Sequence, residues 1–395
     1  MPNPVATPAP LIVPGSWVEV HLHQILVHAI QANASDIHLE PSATGLRVRE
    51  RLDGRLYDAP SPPADCCEGV VSRLKILAQL DIAERRLPQD GQCRYQAPEI
   101  KNPVDLRVST LPTTQGEKIV VRLLDSAQAS LDVMQLGMRP HQLDCLLQHL
   151  EQPQGFILNT GPTGAGKTLT LYSCLQRLHA DHVNISTVED PCEINLPGIN
   201  QVTVRDKIGL TFEHALRALM RQDPDVIMIG EIRDSMTAEM AIKAAQTGHM
   251  VLSSLHTNDA ASTLTRLLYM GIPAFHINAS LTLVCAQRLL RRLCQHCKRP
   301  VHTRLTHPSA TLNAQWFRPV GCHLCLGGYS GRIGVFEVMA MTPEVQDAML
   351  HQPNVQRFTQ IIRAQGVASL RDNALMLAAE GWTSWEEALT QTPAP

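Results

Sequence analysis

Residues 161–168 read GPTGAGKT, the G-x-x-x-x-G-K-T pattern of a loop that wraps phosphate. Gly161, Gly164 and Gly166 let backbone N–H groups close around phosphate oxygens, with Pro162, Thr163 and Ala165 filling the loop between them. Lys167 is placed to reach β- and γ-phosphates, and the Thr168 hydroxyl is placed to coordinate Mg²⁺. The apolar run Phe156-Ile157-Leu158 precedes the loop, and a helix-compatible stretch runs on through Leu169. A strand, a glycine loop and a helix N-terminus together predict a nucleoside triphosphate site.

Two acidic segments follow. Asp225-Val226-Ile227-Met228-Ile229-Gly230-Glu231 is a buried-type strand ending in a carboxylate, the layout of a Walker B element, where Glu231 can polarise an attacking water or act through Mg²⁺. Val188-Glu189-Asp190-Pro191-Cys192-Glu193 gathers more carboxylates at another strand end. Like charges held together need a cation, and Mg²⁺ with bound waters fits; a solvated acidic loop is the plainer alternative. His256 falls at the carboxyl end of a further strand and His249 at its opposite end. A lone strand-end histidine is more often structural, so only context gives either a role.

Of 11 cysteines, Cys294, Cys297, Cys322 and Cys325 form two C-x₂-C pairs. In a reducing compartment this spacing suits a tetrahedral Zn²⁺ that contributes folding free energy directly. A reversible disulfide pair or an empty site are the alternatives, and His296 or His323, inside the knuckles, could replace a sulfur.

The elements that must hold these groups form a βα alternation: strand 155–160, helix 166–179, strand 183–189, helix 212–221, strand 225–230, helix 237–247 and strand 249–255. Such alternation demands a mostly parallel sheet flanked by helices, with ligands at the carboxyl ends of its strands. Ahead of it, a helical period over 18–34, strand-like alternation over 36–40, 46–52, 54–57, 105–110 and 117–124, an Asp53-Gly54 turn and a helix around 66–80 predict a small α/β domain over 16–125. The proline-rich residues 1–15 read as a mobile tail, 126–139 as a linker, 140–292 as the nucleotide core, 293–332 as the cysteine element and 333–395 as a helical region. A net charge of −3 from 34 basic and 37 acidic residues provides no overall pull toward nucleic acid or anionic lipid. No apolar run approaches the roughly 18 residues of a spanning helix, and the start has no signal-peptide pattern, so a cytoplasmic chain is expected.

In order along the chain stand ASDIHLEP (34–41), VRERLDG (48–54), LPQDG (87–91), DLRVSTLP (105–112), GPTGAGKT, the VEDP box, LRALMRQDPDVIMIGEIRD (216–234) and TGHMVLSSLHTN (247–258). Over residues 30–390 the chain resembles the type II secretion and type IV pilus assembly ATPases, cytoplasmic hexameric motors. That resemblance implies a RecA-like P-loop core preceded by a PAS-like domain. It implies ATP and Mg²⁺ as ligands, a homohexamer, and recruitment to the inner face of the bacterial inner membrane through a platform protein, with membrane association only through partners and no direct nucleic acid contact. It assigns Glu189 and Asp190 to the family's aspartate box, Glu231 to Walker B, and His249 and His256 to its histidine box. It implies that Arg107 and Arg122 contact phosphates after interdomain closure, and that Arg217 and Arg221 are offered to a neighbouring subunit's site. The cysteine element resembles the assembly branch rather than the retraction branch.

Departures are few. Ala165 replaces the family's usual loop serine, and Met236 stands where Glu is common; neither removes a phosphate or Mg²⁺ ligand. Members usually carry a further N-terminal docking domain, whereas residues 1–33 alone precede the first motif here, so recruitment by that domain is not expected of this chain. The function expected is ATP hydrolysis powering pilus assembly or type II secretion. A nucleotide-binding scaffold with little hydrolysis and a DNA-uptake or conjugation-type ATPase stand as alternatives. Against the last, the sequence has few aromatics and no aromatic-interleaved basic groove.

Overall fold

The computed structural model describes residues 16–124, 132–301 and 315–393. The tail expected over 1–15 and the first half of the expected linker lie outside the described residues. The chain folds as two compact units that divide between residues 130 and 131.

The first unit runs α1 (Trp17–Gln31), β1 (Asp36–Ser42), β2 (Gly45–Leu52), β3 (Arg55–Asp58), α2 (Cys67–Leu77), β4 (Gln89–Tyr95), β5 (Val104–Thr113) and β6 (Gly116–Leu124). Its sheet has the order β3-β2-β1-β6-β5-β4, antiparallel throughout. A capping box starts α1: Ser16 accepts from the Glu19 N–H, and Glu19 accepts in return from the Ser16 N–H. Alternate strand residues, among them Ile37, Leu39, Leu106, Val108, Ile119 and Val121, pack against Leu22, Leu26, Val70 and Leu74 of the two helices. Period-2 alternation in these strands is the direct cause of that one-sided core. The Asp53-Gly54 turn joins β2 to β3 with positive φ at both residues, 48° and 85°. β4 carries no clear alternation in sequence, and only its pairing with β5 makes it a strand.

The second unit begins with α3 (Pro140–Leu150), β7 (Gly155–Thr160), α4 (Lys167–Leu178), β8 (Ile185–Glu189), β9 (Asn200–Thr203), α5 (Phe212–Leu219) and β10 (Val226–Ile229). It continues with α6 (Ser235–Gln246), β11 (Met250–Leu255), α7 (Ala260–Tyr269), α8 (Ala274–Ser280), β12 (Leu281–Leu293), β13 (Arg299–Val301), β14 (Trp316–Arg318) and β15 (Tyr329–Ala340). Helices α9 (Pro343–His351), α10 (Val355–Ala364), α11 (Leu370–Ala379) and α12 (Trp385–Gln391) close it. Seven strands take the order β15-β12-β7-β11-β10-β8-β9, all parallel except β15, which runs antiparallel to β12. Both faces are covered. Ile157 and Met228 face Leu171 and Leu175 of α4, while Phe156, Leu158, Ile227 and Ile229 face Ala241 of α6 and Leu264 of α7. Truncating one such buried leucine to alanine costs about 2–5 kcal/mol.

Three boundaries differ from the sequence reading. Within the expected linker, Val133 is buried in the core beneath α3, and Arg139 ion-pairs with Glu380 at 2.8 Å, so these residues belong to the second unit. The division expected at 292/293 falls at the end of one continuous strand, β12, which pairs with β15 across the expected 332/333 boundary. Met339 of β15, Phe358 of α10 and Leu375 of α11 share one core cluster with Phe156 of β7. The sequence of β12, LTLVCAQRLLRRL, has no period-2 alternation to mark it as a strand, which is why only tertiary pairing reveals it.

Candidate nucleotide site and tetracysteine centre

β7 is flanked by β11 and β12, so the loop that follows it opens at the carboxyl edge of the sheet between their ends. Glycine is required there. A Cβ on Gly161, whose φ is 156°, would lie 2.5 Å from the Gln287 carbonyl oxygen, and Gly166 (φ 88°) takes the left-handed conformation as the N-cap of α4. Helices α5, α6 and α7 start under side-chain caps from Thr211, Asp234 and Asp259, whereas α4 has none. Its first N–H groups are therefore left for an anion. The glycine cradle and the uncapped helix fit a phosphate group, and Thr168, at the second helical position, is a residue whose hydroxyl could hold Mg²⁺.

Lys167 Nζ donates to the Gly161 carbonyl at 2.7 Å and the Pro162 carbonyl at 3.2 Å and lies 3.5 Å from His256 Nδ1. Burial pushes its pKa down to about 8; Glu231 opposes that shift and Arg288 adds to it. His256 Nε2 lies 3.0 Å from Glu231 Oε2. Glu231 also pairs with Arg233, which reaches Asp190 at 3.1 Å. Burial raises the Glu231 pKa, but Arg233 and then His256 outweigh it and hold the carboxyl below its ordinary value. Residues far apart in sequence, Lys167, Glu231 and His256, thus meet at one strand edge with a base, a cation and an imidazole in contact.

Other expected site residues are placed differently. Glu189 is buried, and its carboxylate accepts from Thr187 Oγ1 at 2.6 Å, Gln201 Nε2 at 3.2 Å and the Tyr172 hydroxyl, so it is engaged within the sheet and α4 rather than standing in an open acidic loop. Burial and then Glu189 raise the Tyr172 pKa, which keeps that phenol a donor. His249 corrects the expectation of a cofactor contact within the chain. It sits before β11, its ring N–H donating to the Ala244 carbonyl at 2.8 Å, a six-residue strand of about 20 Å away from the loop. Arg217 is exposed and pairs with Glu213 at 2.6 Å on α5. Arg221 follows it at the amino-terminal edge, where Asn184 donates to the neighbouring Gln222 carbonyl. Neither reaches the loop of its own chain. In the first unit Arg107 and Arg122 are direct cross-strand partners on the sheet face away from the helices, and Arg122 Nε donates to Asp36 at 3.0 Å.

Sequence reasoning missed Gln287 and Arg288. The buried Gln287 Oε1 accepts from Asn159 of β7 at 3.0 Å and Thr170 of α4 at 2.8 Å, pinning both sides of the phosphate loop. No local motif marks it; its signal is a polar pair inside an apolar strand.

Cys294, Cys297, Cys322 and Cys325 place their sulfurs within 4.8 Å of one another, with separations of 3.9, 3.7 and 3.6 Å for 294–322, 297–325 and 322–325. Four thiolates around Zn²⁺ at about 2.3 Å stand roughly 3.8 Å apart, so the set fits the ion. The Leu324 N–H favours the Cys322 thiolate, yet burial and the three neighbouring sulfurs push it up to about 12, the penalty a cation would remove. The set is all-cysteine; His296 and His323 are exposed. Lys298 ties the knuckle to the turn after α11, donating to the Gly381 carbonyl at 2.9 Å.

The fold and this edge define an α/β protein with a P-loop nucleotide site. Residues 15–390 match the family described as "Type II/IV secretion system protein", and the chain belongs to that family. It is 48% identical over 376 residues to a "Type IV pilus assembly ATPase PilB" of Acinetobacter baylyi, covering 93% of this chain and 65% of that protein. A "Protein transport protein HofB homolog" of Escherichia coli is 47% identical over 370 residues, covering 93% and 79%. The ATPase DotB of Legionella pneumophila superposes with a TM-score of 0.71 at 20% identity, over 96% of this chain and 97% of that one. The chain therefore spans less than two thirds of the length of its pilus-assembly relative from A. baylyi. No helix among the described residues is long and apolar enough to cross a membrane.

Proposed function

We propose that the chain is the ATP-hydrolysing subunit of a homohexameric motor that drives type IV pilus assembly or type II protein secretion through an inner-membrane platform protein, recruited from the cytoplasm. The observation that carries this reading is the contact of Glu231 with His256, and of His256 with Lys167, at the mouth of an uncapped glycine loop. Backbone N–H groups of residues 164–168 and the Lys167 ammonium bind and orient the β- and γ-phosphates. Thr168 would hold Mg²⁺, which when bound neutralises charge on the phosphate oxygens. Glu231 is the carboxylate that orients the attacking water, and its depressed pKa keeps it an acceptor at neutral pH. His256 steadies that carboxylate and reports on the loop through Lys167.

The arginines supply what one chain's edge lacks. Arg107 and Arg122 are offered by the first unit, Arg217 and Arg221 by a neighbouring subunit, and a guanidinium that completes such a charge cage can be worth about 10³–10⁵ in rate. Names of the relatives support the pilus or secretion setting, and the sulfur geometry supports a structural Zn²⁺ at the four cysteines. The test is Mg²⁺-dependent phosphate release by the isolated hexamer, alongside Lys167→Ala and Glu231→Gln. Turnover well above both variants is expected. A hexamer that binds ATP yet releases no more phosphate than the variants, even beside the platform protein, overturns the motor in favour of a scaffold.

A further inference from the structure

We infer that Arg288 is a positioning residue of the nucleotide site, a strap laid across the start of the phosphate loop that holds the turn carrying His256 against it. The inference rests on the reading proposed above for that site. Arg288 follows the Gln287 position on β12, on one side of β7, while the turn after β11 lies on the other. Its guanidinium spans the two. Nη2 donates to the Asn258 backbone carbonyl at 3.1 Å and to the Asn258 side-chain oxygen at 3.2 Å, and Nη1 donates to the Gln287 carbonyl at 3.1 Å.

The crossing passes Gly161. A Cβ built there would lie 2.5 Å from the Gln287 carbonyl oxygen to which Arg288 Nη1 donates, with Nη1 itself in ordinary contact at 3.4 Å, so the first glycine of the loop clears the carbonyl that anchors this side chain. Arginine makes the span better than lysine could, because a planar fork offers several donors in fixed directions where an ammonium offers one point. The side chain is 8% exposed, and among the described residues no carboxylate lies within ion-pairing distance of it. The nearest acids are otherwise engaged. Asp259 caps α7 through the Ser262 N–H, and Glu337 accepts from Ala260 N, Leu370 N and Arg363. A nearly buried cation held by neutral oxygens is costly to keep. Its location makes that cost useful, since it adds positive potential beside the loop and fixes the turn at residues 256–258.

The same turn is held from beneath: the Thr257 N–H donates to Thr160 Oγ1 at 3.0 Å, at the end of β7. Arg288 is the upper of two fasteners, and it is the one that approaches the loop. Loosening it leaves Lys167, Thr168 and the glycine cradle in place but frees His256 from Glu231. Phosphate binding should survive; turnover should not.

The experiment uses the full hexamer with Arg288→Gln, Arg288→Lys and Asn258→Ala. ADP affinity, phosphate release and amide hydrogen exchange over residues 256–260 are measured for each. For Arg288→Gln, kcat is expected to fall about 10–100-fold, the ADP Kd to change less than about threefold, and exchange at 256–260 to quicken while α4 stays protected. Arg288→Lys should recover part of the rate, and Asn258→Ala combined with Arg288→Gln should cost little more than Arg288→Gln alone. Parallel loss of affinity and kcat, unchanged exchange at 256–260, or additive effects with Asn258→Ala would overturn the assignment. If the parent hexamer shows no turnover but Arg288→Gln still loosens 256–260, the motor reading fails and the positioning role of Arg288 stands.

Discussion

The nucleotide edge and the tetracysteine centre are built on opposite plans. Four sulfurs of the cysteine element already stand at the separations that a tetrahedral ion requires, all drawn from two knuckles 294–297 and 322–325. At the nucleotide edge the polar groups come from several strand ends, and some are paired with one another rather than aimed at a ligand: Lys167 with loop carbonyls, Glu231 with Arg233. A thiol set already gathered at these separations would gain stability from an ion.

That contrast can be broken most sharply at the edge. Glu231→Gln should lower phosphate release by about 10²–10⁴ with nucleotide still bound, as expected for loss of a group that orients water; equal loss of binding and turnover, measured by titration and single-turnover kinetics, would deny the carboxylate that role. His256→Ala should follow with a loss of about 10² in kcat at nearly constant Kd.

A pH series sharpens it further. Free Lys167 titrates near 8, and bound phosphate favours its ammonium. Below that pH both free and bound states are protonated and affinity is flat. As pH rises through about 8 the free lysine loses its proton, so binding must take one up and affinity falls by up to about tenfold per pH unit. Calorimetry in buffers of different ionisation heat would detect the proton, and binding without proton uptake at about pH 9, a unit above that titration, would remove Lys167 from the phosphate contact.

At the other centre, elemental analysis should find one Zn²⁺ per chain. Chelation, or Cys322→Ser, should lower the Tm by several degrees, about 1 kcal/mol corresponding to roughly 2–4 °C in a domain of this size. ADP affinity should stay within about threefold, because only the metal knuckle and its Lys298 tie are disturbed. A collapse of nucleotide binding on chelation would erase the distinction between the two regions. The smallest effect is reserved for His249→Ala, expected to change ADP affinity less than about twofold because its ring is bonded to the Ala244 carbonyl at the far end of β11.

Much of the fold was legible because its signals are local. Period-2 alternation exposed the helix-packed sheet of the first unit apart from β4, and alternation of strands with helices exposed β7, β8, β10 and β11 but not β9. β12 and β15 were hidden for the opposite reason: strands buried on both faces lose their alternation, and an antiparallel edge joined from 281–293 to 329–340 leaves no short-range mark. Within the site, Lys167, Thr168, Glu231 and the cysteines were readable from motif spacing. The engagement of Glu189 by Tyr172, Thr187 and Gln201 was not, since two of those donors come from other elements.

By itself, then, the sequence determined the phosphate loop, the thiol set and the family, because each rests on residues within one turn, knuckle or ordered motif whose chemistry does not depend on distant partners. Only the tertiary structure decided which of two histidines faces the loop, and that Gln287 and Arg288 brace it. A parallel sheet sends the two ends of one strand to opposite edges and brings the ends of neighbouring strands together. His249 and His256 are close in sequence and about 20 Å apart in space by that rule, while Asn159 and Gln287, far apart in sequence, are hydrogen-bonded.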